Sequence, residues 1–259
     1  TDPALIPWNT RNVDVVIEST GRFTKLEDAQ KHLQAGAKKV VISAPSEDVP
    51  TFLMGVNHKA CKKNQTIVNN ASCTTNSVAP VAQILVDAFG VNKAMLTTIH
   101  SVTAEQNIVD GLPPKLHPDL RRARSALVNL VPTSTGAAKA TTKVVTSLKD
   151  KFDGIAVRVP SIDVSLTDFT FLLNRKTTVE EVNEVFRTAV KSSRWKGVLG
   201  VTDEPLVSTD FLQTPYGTVV DLGMTRLVDG DLLKVLAWYD NEWGYAERLV
   251  DLVMYVGKL

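Results

Sequence analysis

A thiol flanked by hydroxyl groups occurs in the segment ASCTTN, where Cys73 precedes a helix predicted for Thr75 to Phe89. The first N–H groups of a helix have no partners within the helix, and they carry the positive end of its dipole. Such groups bind anions and stabilise a thiolate, lowering a cysteine pKa to roughly 3.5–7.5. The pattern favours a nucleophilic Cys73. Taken alone, a cysteine is more often a small buried apolar residue.

Among the four histidines, only His100 is placed like a site residue, because it lies in the predicted strand Met95 to Ser101 near its polar end. His32 falls on a predicted surface helix, and His58 and His117 fall in polar loops. An imidazole beside a thiol serves as its base. Without such a pairing, a structural role for His100 fits equally well.

Arg158 interrupts the apolar strand segment AVRV. A guanidinium is rarely tolerated there unless it meets an anion or a carboxylate, so the pattern indicates either an anion site or a structural ion pair. The segment TSTGAA, residues 133–138, resembles a turn that opens a helix. It suits a second phosphate site, or an ordinary helix cap.

The first part of the chain predicts a strand, helix, strand unit. The apolar run VDVVI begins at Val13, helical spacing follows from Leu26 to Ala37, and a second apolar run covers Val40 to Ile42. Unbroken β-branched runs are typical of strands buried on both faces of a parallel sheet. A further strand ends at Ile67-Val68, which places Cys73 at a strand-to-helix junction.

Beyond Gly90 the pattern changes to longer strands. The predicted strands are Met95 to Ser101, Ile155 to Val159, Val164 to Leu173 and Leu232 to Tyr239; helices are predicted from Val179 to Ser192 and from Trp243 to Val256, and a long polar loop from Ala104 to Arg124. We therefore expect an α/β protein, with a partial doubly wound (Rossmann-type) parallel sheet and an α+β catalytic domain with a mixed or antiparallel sheet. The predicted boundaries are 1–72 for the remnant of the dinucleotide-binding domain, with the helix 241–259 packing back on it, and 73–240 for the catalytic domain.

Composition narrows the class of protein. The 259 residues are 44% hydrophobic and carry a formal charge of +1, so we expect no affinity for nucleic acid or membrane from charge alone. Two cysteines without a disulfide pattern favour a reducing, cytoplasmic location. No run approaches the ~20 apolar residues of a membrane helix. No metal site is predicted.

Seven segments in order resemble the phosphorylating glyceraldehyde-3-phosphate dehydrogenases: DVVIESTGRF, GAKKVVISAPS, NNASCTTN, TTIH, DLRRARSALVNLVPTSTGAAKA, VRVPSIDVS and WYDNEWGYAERLVDL. The spacing of 27 residues between Cys73 and His100 also fits that family. The resemblance implies that glyceraldehyde 3-phosphate is oxidised through a thioester on Cys73, with His100 as base, hydride transfer to NAD and release by inorganic phosphate. It also implies a homotetramer that acts in glycolysis or gluconeogenesis.

The same resemblance implies the other site residues. Ser72, Thr74, Thr135 and Gly136 correspond to the inorganic phosphate site, and Thr103 and Arg158 to the site for the phosphate of the substrate. Asn241 corresponds to the residue that binds the nicotinamide carboxamide, and Tyr245 packs near the ring. Thr20 and Ser43 fall where the sheet edge approaches the nicotinamide ribose.

Three departures from the family pattern limit this transfer. Ser77 replaces a frequent second cysteine, and Glu105 replaces a frequent aspartate, while the loop from Gly111 to Pro118 is longer than in several bacterial members. No G-x-G-x-x-G precedes Asp14, so we expect either a piece of a longer gene product or a natural truncation with weakened NAD affinity. Leu112-Pro113 resembles NAD-preferring members, which favours NAD over NADP.

Two other functions remain open at this point. Erythrose-4-phosphate dehydrogenase shares the cysteine and histidine pair, although the Thr103 region and the TSTG turn favour the triose substrate. The other possibility is that the chain is not an enzyme but an inactive module that acts only in assembly. A fast-reacting Cys73 thiol would argue against such a module. A cofactor-independent thiol hydrolase leaves Asn241 and the phosphate residues unexplained.

Overall fold

A computed structural model describes residues 2–113 and 119–259. Its smaller sheet has three parallel strands in the order β1-β2-β3: β1 (Val15–Glu18), β2 (Lys39–Ile42) and β3 (Ile67–Asn69). The helix α1 (Leu26–Gln34) connects β1 to β2, as predicted. Because the three strands are parallel, their C-terminal ends all lie on the same side of the sheet. The segment that leads to Cys73 follows the C-terminal end of β3.

The larger sheet has seven strands in the order β5-β6-β4-β7-β10-β9-β8. Its strands are β4 (Val91–His100), β5 (Val131–Ser134), β6 (Phe152–Arg158), β7 (Ser165–Leu173), β8 (Leu199–Thr202), β9 (Thr218–Val228) and β10 (Leu232–Tyr239). The pairs β4/β6 and β8/β9 are parallel, and the other pairs are antiparallel. The predicted fold class, a parallel sheet combined with a mixed sheet, is confirmed.

Three helices cover one face of the larger sheet: α2 (Cys73–Phe89), α3 (Ala137–Val144) and α4 (Val179–Lys191). The core between them contains fully buried aromatic side chains from β7 and α4, namely Phe169, Phe171 and Phe186. The last helix, α5 (Trp243–Lys258), buries Leu252 and Val256 against Val41 and Val68 of the smaller sheet. The chain passes from β3 of the smaller sheet directly into α2, which packs on the larger sheet, so α2 begins where the two sheets meet. None of the helices in the described ranges is long and apolar enough to span a membrane.

The structure differs from the predicted elements in three strands that the sequence pattern did not reveal. β5 contains Pro132, β8 contains Gly200, and β9 is interrupted by Asp221 and Gly223, so none shows a clean strand pattern. In consequence, Thr133 and Ser134 belong to a strand and not to the turn that precedes α3. Residues 114–118, which include His117 and most of the loop from Gly111 to Pro118 that was expected to be long, lie outside the described residues.

His32 lies on the surface helix α1, as predicted, but its side chain is buried. Its ring is 4% exposed, and Nε2 lies 2.8 Å from the Glu18 carboxylate at the end of β1. The helix does face solvent elsewhere, but a buried carboxylate requires a hydrogen-bonding partner, and His32 supplies it.

Candidate functional site

The turn between β3 and α2 sets the position of Cys73. Ala71 has a left-handed backbone with φ of 52°, an uncommon conformation for a residue with a side chain, and it turns the chain sharply. Ser72 then caps α2, since its Oγ accepts a hydrogen bond from Thr75 N at 3.1 Å. Cys73 is the first residue of the helix and is partly accessible, whereas most of the helix behind it is buried.

Cys73 and His100 meet at the junction of the two sheets. Cys73 Sγ lies 3.6 Å from His100 Nε2, within the reach of a sulfur hydrogen bond. His100 is the last residue of β4 and is 3% exposed, so the strand fixes its ring. The ring of Tyr239 packs edge-on against the imidazole at 5.9 Å. The two predicted catalytic side chains are thus in contact, as a nucleophile and its base must be.

The far side of the His100 ring faces Ser101 and Arg158. Nδ1 lies 2.7 Å from Ser101 O, and an Nδ1–H donated to this carbonyl leaves the Nε2 lone pair facing the thiol. Arg158 Nη1 donates to the same carbonyl at 3.1 Å and lies 2.9 Å from Nδ1. The parallel register of β4 and β6 pairs His100 with Arg158 directly, which explains this contact.

Burial controls the protonation of both groups. Desolvation, with the nearby Arg158 charge, lowers the pKa of His100 from 6.5 to about 4, so the imidazole is neutral at neutral pH. Desolvation also raises the pKa of the Cys73 thiol, while the hydroxyl and backbone N–H of Thr74 and the Arg158 charge oppose it. The expectation of a lowered thiol pKa was therefore wrong, because the loss of water around the thiol outweighs the groups that favour the thiolate. A neutral thiol faces a neutral base.

Arg158 and Arg122 form a basic pair around one carboxylate. Glu105 Oε1 accepts from Arg122 Nη1 at 2.9 Å and from Arg158 Nη2 at 3.4 Å. Arg122 also donates to Thr133 Oγ1 at 2.9 Å. Two guanidinium groups share one carboxylate, which leaves an excess positive charge beside His100. Sequence reasoning missed Arg122, although the run RRAR in the long loop was a signal of clustered cations.

The residues predicted to bind inorganic phosphate lie at two helix starts. Ser72 precedes α2, while the Thr74 hydroxyl is 3.0 Å from Tyr239 OH and so belongs to a buried network. Thr135 and Gly136 precede α3, where Thr135 Oγ1 accepts from Ala137 N at 3.2 Å. The space around Gly136 is open. Within the described residues, no hydrogen bond links these two helix starts to each other.

Thr103, predicted to bind the substrate phosphate, lies just after β4. Its N–H and hydroxyl both donate to Gln106 Oε1, at 2.8 and 3.0 Å. Arg158, by contrast, sits in direct contact with His100. The structure therefore brings one of the two predicted substrate-phosphate residues into the cluster and shows the other engaged with a neighbouring side chain.

The four predicted cofactor residues come from four separate segments. Thr20 follows β1 and Ser43 follows β2, where Ser43 N donates to Glu18 O at 2.9 Å. Tyr245 lies in the first turns of α5, and its hydroxyl donates to Ala71 O at 3.1 Å. Asn241 precedes α5, and its Oδ1 accepts from the hydroxyls of Ser101 and Ser165, each at 2.8 Å. Burial raises the pKa of Tyr245, so its hydroxyl stays protonated.

Unmet hydrogen-bonding capacity is concentrated at this site. Six buried side-chain polar atoms in the described ranges have no hydrogen-bond partner, and four of them belong to Asn70, Arg158 and Asn241. An unpaired buried polar atom costs about 1–3 kcal/mol, and such atoms occur where a ligand completes the bonding. No group of three or more side chains suited to a metal ion occurs within the described ranges.

The chain was compared with known proteins. Residues 72–241 match the family described as glyceraldehyde 3-phosphate dehydrogenase, C-terminal domain. The chain is 50% identical to glyceraldehyde-3-phosphate dehydrogenase of Zymomonas mobilis over 259 residues, which is 99% of this chain and 76% of that relative. It is 51% identical to glyceraldehyde-3-phosphate dehydrogenase 1 of Bacillus cereus, covering 98% of this chain and 75% of the relative. With glyceraldehyde-3-phosphate dehydrogenase 3 of Saccharomyces cerevisiae the identity is 48%, covering 99% and 76%.

Proposed function

The chain belongs to the glyceraldehyde-3-phosphate dehydrogenase family, and we propose that it oxidises glyceraldehyde 3-phosphate to 1,3-bisphosphoglycerate through a covalent intermediate on Cys73. The contact between Cys73 Sγ and His100 Nε2, at 3.6 Å, carries the proposal. A thiol at the start of a helix, with a neutral imidazole at its side, has the arrangement of a nucleophile and its base. The role belongs to glycolysis or gluconeogenesis.

The proposed first half-reaction depends on a proton moving through His100. The sulfur of Cys73 forms a bond to the aldehyde carbon, and the thiol proton passes through Nε2 to the carbonyl oxygen, giving a hydroxyl. Nε2 then takes the hydroxyl proton as the carbon loses a hydride, which leaves a thioester on Cys73. NAD, when bound, accepts that hydride. The neutral state of His100 suits this base role, because an imidazolium cannot accept the proton.

In the second half-reaction an oxygen of inorganic phosphate attacks the thioester carbon. The C–S bond breaks to give the acyl phosphate, and the sulfur of Cys73, released as a thiolate, takes back the proton held at His100 Nε2, while the proton of the attacking phosphate is lost to solvent. The backbone N–H of Cys73 and the Nε2–H that His100 gained in the first half-reaction stabilise the negative oxygen that forms before the C–S bond breaks. Of the phosphate residues, we assign Ser72, Thr74, Thr135 and Gly136 to the inorganic phosphate.

We assign the phosphate of the substrate to Arg158 and Thr103. The Nε of Arg158 is buried without a partner, and the guanidinium shares its carboxylate with Arg122, so a phosphate would supply an acceptor for this group. Glu105 competes for the same guanidinium. Binding of a phosphate therefore requires the Glu105 contact to Arg158, 3.4 Å long, to loosen.

The nicotinamide end of NAD is assigned to Asn241, Tyr245, Thr20 and Ser43. The fit rests on Asn241, since its buried Nδ2 has no partner while Oδ1 is held by two hydroxyls. The free amide N–H is suited to a carboxamide oxygen. The preference for NAD over NADP rests on Leu112-Pro113 alone. The domain boundaries at residues 72 and 240 remain predictions.

We further propose a homotetramer in the cytoplasm. No helix of the described residues covers the sheet face opposite α2, α3 and α4, and Met95 and Ile155 on that face are 57% and 48% exposed. A second copy is the natural partner for such a face, given that symmetric association is the usual mode of oligomers. Analytical ultracentrifugation tests this: Ile155→Lys should dissociate the assembly, and a monomeric parent chain would contradict the proposal.

The function is tested by trapping the intermediate. The chain is mixed with glyceraldehyde 3-phosphate and NAD without phosphate, quenched in acid, and digested for mass spectrometry. We expect an acyl group on Cys73, absent without NAD and absent in Cys73→Ser, and its release on addition of phosphate. Absence of the acyl group in the presence of both NAD and the aldehyde would contradict the proposal. A faster reaction with erythrose 4-phosphate would favour the alternative dehydrogenase, and a Cys73 that reacts no faster than Cys61 with iodoacetamide would favour an inactive module.

A further inference from the structure

A hydrogen-bonded cluster at the end of β1 contains two buried side chains, Glu18 and His32, that the proposed mechanism does not use. It joins Trp8, His32, Glu18 and Thr20, from three separate segments of the chain. Glu18 and His32 are 3% and 4% exposed, and Glu18 Oε2 lies 2.8 Å from His32 Nε2. Trp8 Nε1 lies 3.2 Å from His32 Nδ1.

The contacts fix the direction of every hydrogen bond. An indole N–H can only donate, so His32 Nδ1 accepts from Trp8 and the ring proton resides on Nε2. Nε2–H then donates to Glu18 Oε2. The other carboxylate oxygen, Oε1, accepts from Thr20 N at 2.8 Å and also from the Thr20 hydroxyl. The carboxylate is fully partnered, and its last two partners belong to the turn after β1.

We propose that His32 is a positioning residue, which acts through Glu18 to hold the Thr20 turn in the geometry that receives the nicotinamide ribose. The cofactor part of this inference rests on the proposed function. Thr20 is exposed, and Arg22 N donates to its hydroxyl oxygen at 3.2 Å, so both its backbone and its side chain are oriented before any ligand binds. A preorganised turn avoids the entropic cost of ordering on binding.

The chain of contacts explains why a carboxylate is retained in a buried position. Glu18 is the last residue of β1, and Ser43 follows the neighbouring strand β2. Ser43 N–H donates to Glu18 O at 2.9 Å. The residue therefore orients the turns after β1 and after β2 together, one by its side chain and one by its backbone. Without His32 the carboxylate would keep only the Thr20 donors, and a buried charge that lacks a partner rearranges or draws in water.

Hydrogen exchange measured by NMR on the unliganded chain gives the first test. His32→Leu should speed exchange of the Thr20 amide at least tenfold, since its acceptor becomes mobile. His32→Gln should restore protection, because the glutamine amide can donate to Glu18 and accept from Trp8. Leu33→Ala is the matched control, as it weakens packing of α1 without touching Glu18, and it should leave Thr20 exchange unchanged.

Titration with NAD, followed by the chemical shift of Thr20, gives the second test. The dissociation constant for NAD should rise about tenfold in His32→Leu, which corresponds to a loss of about 1.4 kcal/mol of binding free energy. It should return to the parent value in His32→Gln. The rate of Cys73 alkylation without NAD should not change in either variant. Equal Thr20 exchange in parent and His32→Leu, or an equal effect of Leu33→Ala, would overturn the positioning role. A parent chain whose Thr20 signal does not respond to NAD would instead contradict the proposed cofactor site.

Discussion

Two buried histidines in this chain have opposite surroundings. His32 has a partner on each ring nitrogen, Trp8 on one side and Glu18 on the other. His100 lies 3.6 Å from the Cys73 thiol on one side and contacts the Arg158 guanidinium on the other, and Arg158 Nε has no hydrogen-bond partner. The comparison teaches that burial alone does not mark a reactive histidine. What distinguishes the reactive one is bonding capacity that only a ligand or a reacting group completes.

The sharpest way to break this comparison is to remove the nucleophile. Cys73→Ser should lower kcat by about 10⁴-fold or more, because a serine hydroxyl is a far weaker nucleophile beside a neutral imidazole. Cys61→Ser is the matched control, since Cys61 is a free cysteine buried in the apolar cluster beneath α5. Steady-state kinetics of both variants checks the assignment, and a comparable loss in Cys61→Ser would sink it.

Removal of the base should have the next largest effect. His100→Asn is expected to slow acylation of Cys73 by about 10²–10⁴-fold, the usual contribution of a general base. Rapid mixing with a quench in acid measures the acylation step itself. His32→Gln should leave that step within about twofold under saturating NAD. If the two histidine variants lose the same amount, the contrast between a reactive and a positioning histidine is wrong.

The acid stability of the chain tests the environment of His100. Its pKa is lowered from 6.5 to about 4 in the folded state, so the unfolded state binds the proton first as pH falls. Neutral His100 therefore makes its full contribution to the free energy of unfolding above about pH 6.5. That contribution, up to ~3 kcal/mol, is lost as the pH falls from about 6.5 to 4. Denaturant unfolding of the parent and His100→Asn at pH 7 and pH 4.5 measures the difference. The parent should lose more stability than the variant over this interval, and equal losses would contradict the buried, neutral state.

Much of the fold was predictable because its core strands are unbroken apolar runs. The runs VDVVI and VVI predicted β1 and β2, and the strand Leu232–Tyr239 was predicted with its observed bounds. The strands that the pattern missed contain proline, glycine or aspartate, whose backbone preferences hide a role set by pairing with neighbours. These strands form because they pair with neighbouring strands in the folded chain, and not because their own residues favour a strand.

The candidate site was predictable in its residue types but not in its electrostatics. The ASCTTN and TTIH motifs indicated Cys73 and His100, and Arg158 was recognised as a cation in an apolar strand. The pKa of Cys73 was not predictable, since it depends on how completely the folded chain excludes water. The same limit applies to His32, because nothing in a helical pattern shows that Glu18 points toward it from another element.

The smallest expected effect concerns Arg158 and separates a substrate contact from a structural ion pair. Arg158→Leu should raise KM for glyceraldehyde 3-phosphate by at least about tenfold relative to unphosphorylated glyceraldehyde, since hydrogen bonds to charged groups contribute about 1.5–3 kcal/mol each. The guanidinium also lowers the pKa of His100, so the variant should shift the His100 titration upward, measured by NMR of the ring proton. Arg124→Leu is the matched control, because its exposed pair with Asp110 lies in the loop away from His100. Equal changes in KM for both aldehydes would show that Arg158 holds the fold together and does not bind the substrate phosphate, whereas an unchanged His100 titration would show that its charge does not act on the base.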